Sequence, residues 1–106
     1  MSYTHIAPSE LVAKLGSLAE DEWIVDVREP HEWDYYHLDE AILMPMNSIP
    51  GRLDELPRDK TLYIICAHGV RSEMVSRYLD ESGYDRVVNV TGGMAAVAAL
   101  LGFEYD

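Results

Sequence analysis

Cys66 is the one cysteine in 106 residues, and it opens the run Cys66-Ala67-His68-Gly69-Val70-Arg71-Ser72. A lone thiol at the end of an apolar stretch is ordinarily a small, inert hydrophobe. The residues after Cys66 argue for chemistry instead. If the run leads into a helix, the amides of Ala67, His68, Gly69, Val70, Arg71 and Ser72 can curl around the sulfur, and the positive helix end points at it. Gly69 opens backbone angles closed to other residues, and Arg71 adds a permanent charge with a planar fork of donors. Together these stabilise a thiolate, the form in which cysteine acts as a nucleophile.

Other candidates are weaker alone. Asp26 and Arg28 leave an apolar run and could form an ion pair holding two loops, or Arg28 could brace the cysteine loop or add positive potential there. Gly92 and Gly93 suit a tight backbone turn beside a site. His68 either meets substrate or faces water. His5, His31 and His37 lack partners at metal-ligand spacing, so neither a metal nor another cofactor is expected.

These residues need a scaffold that brings them together. Thr4 to Ile6 is a weak strand candidate. Pro8 and Glu10 then start a helix with Leu11, Val12, Leu15 and Leu18 at helical spacing, although Ala7 is a poor cap and Gly16 weakens its end. Trp23 to Val27 and Thr61 to Cys66 are apolar, β-branched runs of the kind that fill strands buried on both faces. Ala41 to Met44 and Val87 to Val90 add two more strands. Between them, Glu29-Pro30 opens a helix placing Trp33, Tyr36 and His37 on one face, and a short helix over 48–56 turns Ile49, Leu53 and Leu56 inward. A helix from Arg71 or Ser72 to Gly83 is expected to bury Met74, Val75, Tyr78 and Leu79. The last helix spans Met94 to Leu101. Such alternation specifies an α/β domain with a mainly parallel sheet over residues 1–106. Ligands of open parallel sheets bind beyond the carboxyl ends of the strands, which is where Cys66 stands.

Eight Lys and Arg against nineteen Asp and Glu give a net charge of −11. That repels phosphate backbones and anionic lipid, so neither nucleic acid nor membrane is an expected partner. With one cysteine there is no internal disulfide, and the first residues lack the basic and apolar runs of an export signal. A soluble protein of the reducing cytoplasm is the expectation. A dianionic substrate meets long-range repulsion that only a local positive cradle offsets.

Taken together and in order, Asp26-Val27-Arg28-Glu29-Pro30, Cys66-Ala67-His68-Gly69-Val70-Arg71-Ser72 and Gly92-Gly93-Met94 resemble the rhodanese-like sulfurtransferases over essentially the whole chain. The resemblance implies a three-layer domain with a central five-stranded sheet flanked by helices. It also implies a persulfide enzyme. Cys66 would take a sulfane sulfur from a donor such as thiosulfate and pass it to cyanide or a thiol, with the amides from Ala67 to Ser72 holding the outer sulfur and Arg71 facing the oxyanion. Low activity with thiosulfate fits the acidic surface. The alternatives are a sulfur-carrier or protein-interaction module served by a protein donor or acceptor, and a cysteine phosphatase or arsenate reductase. The latter enzymes place five residues between Cys and Arg, whereas four lie between Cys66 and Arg71.

Two segments depart from the family pattern. Tyr36-His37-Leu38-Asp39-Glu40-Ala41 lacks two glycines and a proline, and should lie at the amino edge of the sheet, opposite the cysteine. Val97 replaces a tryptophan, leaving volume for Met44, Met46 or Met94 to fill.

Overall fold

The computed structural model describes residues 3–105. Its strands are β1 (Thr4–Ile6), β2 (Glu22–Asp26), β3 (Ala41–Leu43), β4 (Thr61–Ile65) and β5 (Val87–Val90), in the order β1-β5-β4-β2-β3, with every pairing parallel. Helices α1 (Pro8–Lys14), α2 (Pro30–Tyr35), α3 (Val70–Glu81) and α4 (Gly93–Leu100) connect them, together with two 3-10 segments, Met46–Ser48 and Pro50–Glu55. The expected α/β architecture with a five-stranded sheet is present. Because β4 is central and covered on both faces, it is uniformly apolar; Leu62 and Ile64 face one cluster, Tyr63 and Ile65 the other.

On the first face Val75 and Leu79 of α3 and Ile49 and Leu56 of the 3-10 region pack over Val25, Leu62, Ile64 and Val87. On the second, Leu11 of α1 and Met94 and Val97 of α4 cover Ile6, Ile24, Tyr63 and Val90. No helix among the described residues is long and apolar enough to cross a membrane.

Several local expectations are corrected. The segment over 48–56 is not one α-helix: Pro50 restarts the chain as a 3-10 turn, and Arg52 leaves helical angles at φ −124°, ψ 20°. Ile49 and Leu56 are nevertheless buried. Helix α2 stops at Tyr35, and Tyr36 is already extended, so the face shared by Trp33, Tyr36 and His37 is not a helical one; Trp33 and His37 instead stack at 3.9 Å. Helix α3 is rotated relative to its apolar pattern. It buries Ser72, Val75, Ser76 and Leu79, leaving Met74 53% and Tyr78 38% exposed. Both serines find local partners, since the Ser76 hydroxyl donates to the Ser72 carbonyl at 2.8 Å and Ser72 meets the cysteine.

Ala41 pairs with Ile24 and Glu40 reaches Gly16, so the end of the departing segment lies at the amino edge, away from Cys66, as expected; its start does not, since the Tyr36 carbonyl accepts from Arg28 beyond the carboxyl end of β2. Its turn is tied by Glu40, whose carboxylate accepts the Gly16 amide at 2.9 and 3.0 Å. Glu10 similarly accepts the Ala7 amide at 2.9 Å, supplying the half of a cap that alanine lacks. Of the three methionines, only Met94 shares the buried cluster of Val97; Met44 and Met46 belong to the opposite face.

Candidate active site

Strand β4 ends at Ile65, and the next residue, Cys66, is 1% exposed at the carboxyl edge of the sheet. Its sulfur accepts the Gly69 N–H at 3.0 Å, and its thiol donates to Ser72 Oγ at 3.4 Å. The sulfur therefore has a backbone donor on one side and a buried hydroxyl, able to reverse its role toward an anion, on the other. Gly69 caps α3 with φ +102°, a left-handed turn that only glycine adopts freely, and this turn brings its amide back onto the sulfur. His68 and Val70 are exposed, whereas Ala67 is buried.

The carbonyl sides of the same loop rest on α4. Met94 N–H donates to the Cys66 carbonyl at 2.7 Å, and Ala95 N–H to that of Ala67 at 3.0 Å. Gly92 and Gly93 make this contact possible through left-handed angles of φ +73° and +65°. A Cβ at Gly93 would lie 2.6 Å from the Cys66 and Ala67 carbonyl oxygens.

Arg71 sits at the second position of α3, with its fork closed on Glu32: Nη1 donates to Oε1 at 2.8 Å and Nη2 to Oε2 at 2.9 Å. Glu32 also accepts the Glu29 N–H at 2.8 Å, capping α2. The Arg71 hydrogen bond, helped by the Glu29 amide and opposed by burial, holds the Glu32 carboxyl at about 2. Sequence reasoning missed Glu32. Its only signal was the spacing Glu29 to Glu32, which reads as a helix cap rather than as a partner for the loop.

Asp26 and Arg28 form a fully buried pair at 2.7 Å. The guanidinium donates further to the carbonyls of Glu32 (3.2 Å) and Tyr36 (2.6 Å) and to the Tyr105 hydroxyl (3.1 Å). Among the described residues neither side chain hydrogen-bonds to the cysteine loop. Their link to it runs through α2, since Arg28 holds the Glu32 backbone and Glu32 holds Arg71. Tyr105, also missed, sets its ring edge-on to His68 at 6.2 Å; a tyrosine beyond the last helix carries no pattern that would betray this. No group of three or more potential metal ligands occurs among the described residues.

Residues 7–100 match the family model of the rhodanese-like domain. The chain belongs to the rhodanese-like family. This rhodanese-like chain is 38% identical over 90 residues to a sulfurtransferase of Allochromatium vinosum, covering 85% of the one and 84% of the other. It is 32% identical over 95 residues to the thiosulfate sulfurtransferase GlpE of Actinobacillus pleuropneumoniae, covering 87% and 83%. Among solved structures, a rhodanese-like domain protein from Staphylococcus aureus superposes with a TM-score of 0.81 at 40% identity, covering 89% and 90%. At the level of the family, this rhodanese-like chain is a sulfurtransferase of the rhodanese type.

Proposed function

We propose that the chain carries sulfane sulfur on Cys66 as a persulfide, from a donor such as thiosulfate to an acceptor such as cyanide or a thiol. The observation that carries this reading is the pair of partners at the sulfur, the Gly69 N–H that donates to it at 3.0 Å and the Ser72 hydroxyl that accepts from the thiol at 3.4 Å and is free to donate once the thiol is ionised, in a loop too short for the wider cradle of a phosphatase. In the first step the Cys66 thiolate attacks the sulfane sulfur of thiosulfate. The sulfur–sulfur bond of the donor breaks, and its electron pair leaves with sulfite. In the second, the acceptor attacks the outer sulfur, and the pair of the broken bond returns to Sγ.

The amides from Ala67 to Ser72 hold the outer sulfur of this intermediate, and the charge of Arg71, shared with Glu32, lies at the mouth of the loop. Asp26 and Arg28 support the arrangement from beneath α2, and Gly92 and Gly93 from α4. Residues 1–106 act as one catalytic unit, and the cycle balances without a cofactor. A reducing cytoplasm suits it, because Cys66 must return to the thiolate after each turnover.

Intact mass after brief incubation with thiosulfate and desalting tests the reading. Wild type should gain one sulfur that cyanide discharges as thiocyanate, and Cys66→Ser should gain none. A sulfur retained in Cys66→Ser, or no loading from thiosulfate or any persulfide donor, overturns it.

A further inference from the structure

A cavity of about 430 Å³ opens beside the cysteine loop, between α3 and the β1–β5 edge of the sheet. That is within the range of small-molecule sites. Gly69 forms part of its wall, and the Gly69 amide donates to Sγ at 3.0 Å, so one end of the cavity abuts the loop that holds the sulfur, although Cys66 itself does not line it.

One buried polar atom of the lining lacks a partner, and the two charges of the lining do not pair with each other. Asn89 interrupts a strand of valines, is 3% exposed, and lines the cavity; its Nδ2 lies 3.2 Å from His5 Nδ1, while its Oδ1 has no hydrogen-bond partner. Exchanging the two ends of the amide would leave Nδ2 unpaired instead, so one polar atom lacks a partner in either orientation. A buried amide left half satisfied is costly and calls for a ligand or water. Arg77, exposed to solvent at the rim, also lines the cavity and makes no hydrogen bond or ion pair among the described residues, so its charge is available to a ligand. Glu73 stands four residues before it, the favourable order for a helical ion pair, yet the two do not pair. Glu73 instead accepts from the Tyr3 hydroxyl at 3.3 Å. The wall thus presents one cation and one anion separately, with a hydrogen-bonding amide between the helix and the sheet.

We infer that this cavity is the acceptor site for a small thiol bearing both an ammonium and a carboxylate, an α-amino-acid thiol of the cysteine type. The carboxylate meets Arg77, the ammonium meets Glu73 and the amide of Asn89, and the thiol reaches past Gly69 toward Cys66. Zero net charge on such a ligand also avoids the long-range repulsion that a chain of net charge −11 exerts on anions. The inference rests on the persulfide reading. In the transfer, the bound thiolate attacks the outer sulfur, a new sulfur–sulfur bond forms on the acceptor, and the electron pair of the broken bond returns to Cys66.

Two measurements test it. The first titrates S-methylcysteine, which cannot react, into the unloaded protein and follows amide shifts of Gly69, Glu73, Arg77 and Asn89 by NMR; it does not depend on persulfide formation. Saturable shifts confined to these residues, weakened about tenfold or more in Arg77→Ala, support the site. No saturable shift overturns it. The second compares discharge of persulfide-loaded protein by cysteine with discharge by 2-mercaptoethanol, which has neither charge. The cysteine-to-mercaptoethanol ratio of kcat/KM should fall about tenfold in Arg77→Ala and in Glu73→Ala. An unchanged ratio in both folded variants overturns the inference while leaving the persulfide cycle intact. Failure of Cys66 to load at all overturns the persulfide reading, and the transfer role with it.

Discussion

Substituting Glu32→Gln should increase thiosulfate use, because in the structure a carboxylate already fills the fork that an incoming oxyanion would take. Both terminal nitrogens of Arg71 face Glu32 at 2.8 and 2.9 Å, and the Glu32 carboxyl, held at about 2, is charged throughout the working pH range. Glutamine keeps one oxygen for the Glu29 amide and for Nη1 of Arg71 but puts an amide nitrogen opposite Nη2, so the change removes the charge and one of the two Arg71 bonds while the shape stays. A dianion about 6 Å from that carboxylate, under water-like screening, loses about 1.4 kcal/mol of repulsion, or roughly tenfold in kcat/KM. A singly charged persulfide donor loses half of that, or roughly threefold. The assay is initial rate against donor concentration, at low salt and again at about 1 M, where a screening length of about 3 Å should erase most of the gain. Equal gains for the two donors, a gain that survives salt, or a loss with both would refute the reasoning. Those outcomes would make the pair a brace for the loop rather than a competitor for anions.

Gly93→Ala should lower stability by about 2–4 kcal/mol in a thermal or urea melt, and Gly16→Ala by about 1 kcal/mol. Both sit at positive φ, but only the first drives a Cβ to 2.6 Å from backbone. Arg28→Met strands the buried Asp26 carboxylate and should cost about 3–5 kcal/mol; adding Asp26→Asn should recover part of this, measured by the same melts. Acid should destabilise the fold in a defined window. Glu22, held at about 2 chiefly by the Ala19 amide and also by Tyr63 and Lys14, and Glu32 both lie below the ordinary value of 4.5. Their stabilisation is complete above about 4.5 and is lost as pH falls toward 2, because the unfolded chain takes up protons first. A Tm-against-pH curve should fall across that interval and flatten in Glu22→Gln.

The buried strands were legible because a parallel strand covered on both faces must be apolar throughout, and Thr61 to Ile65 has no other reading. The place of Cys66 followed from topology. The pattern hid polar groups that occupy apolar positions. Ser72 and Ser76 count as outward-facing by type, yet their hydroxyls are satisfied locally, so they occupy the buried face of α3 and turn Met74 and Tyr78 to solvent. Glu32 was hidden differently, since one carboxylate both caps α2 and holds Arg71 across 39 residues of sequence. Spacing reveals the first bond and is silent on the second. Pro50 and Gly51 likewise undid an apolar repeat that looked helical over 48–56.

The two glycines at the start of α4 explain why the first two peptides after Cys66 turn their oxygens onto that helix and their nitrogens away from it. In a planar trans peptide the N–H and C=O point in opposite directions, so carbonyls turned one way leave amides turned the other. Met94 and Ala95 donate to the carbonyls of Cys66 and Ala67, drawing those oxygens onto the first turn of α4. The chain beyond them then enters α3 through the left-handed Gly69, whose amide returns to Sγ. One helix thus orients the Ala67 and His68 amides through the carbonyls in the same peptides, and the left-handed turn at Gly69 adds its own amide as the donor to the sulfur. Any side chain at position 93 would separate α4 from those carbonyls and release that orientation, even with Cys66, Gly69 and Arg71 all in place. The departures at Tyr36 to Ala41 and at Val97 therefore leave this arrangement intact. The first ends at the opposite edge of the sheet and meets Arg28 through the Tyr36 carbonyl, which any residue there supplies, and the second is packed one turn further along α4, beside Met94, in the core.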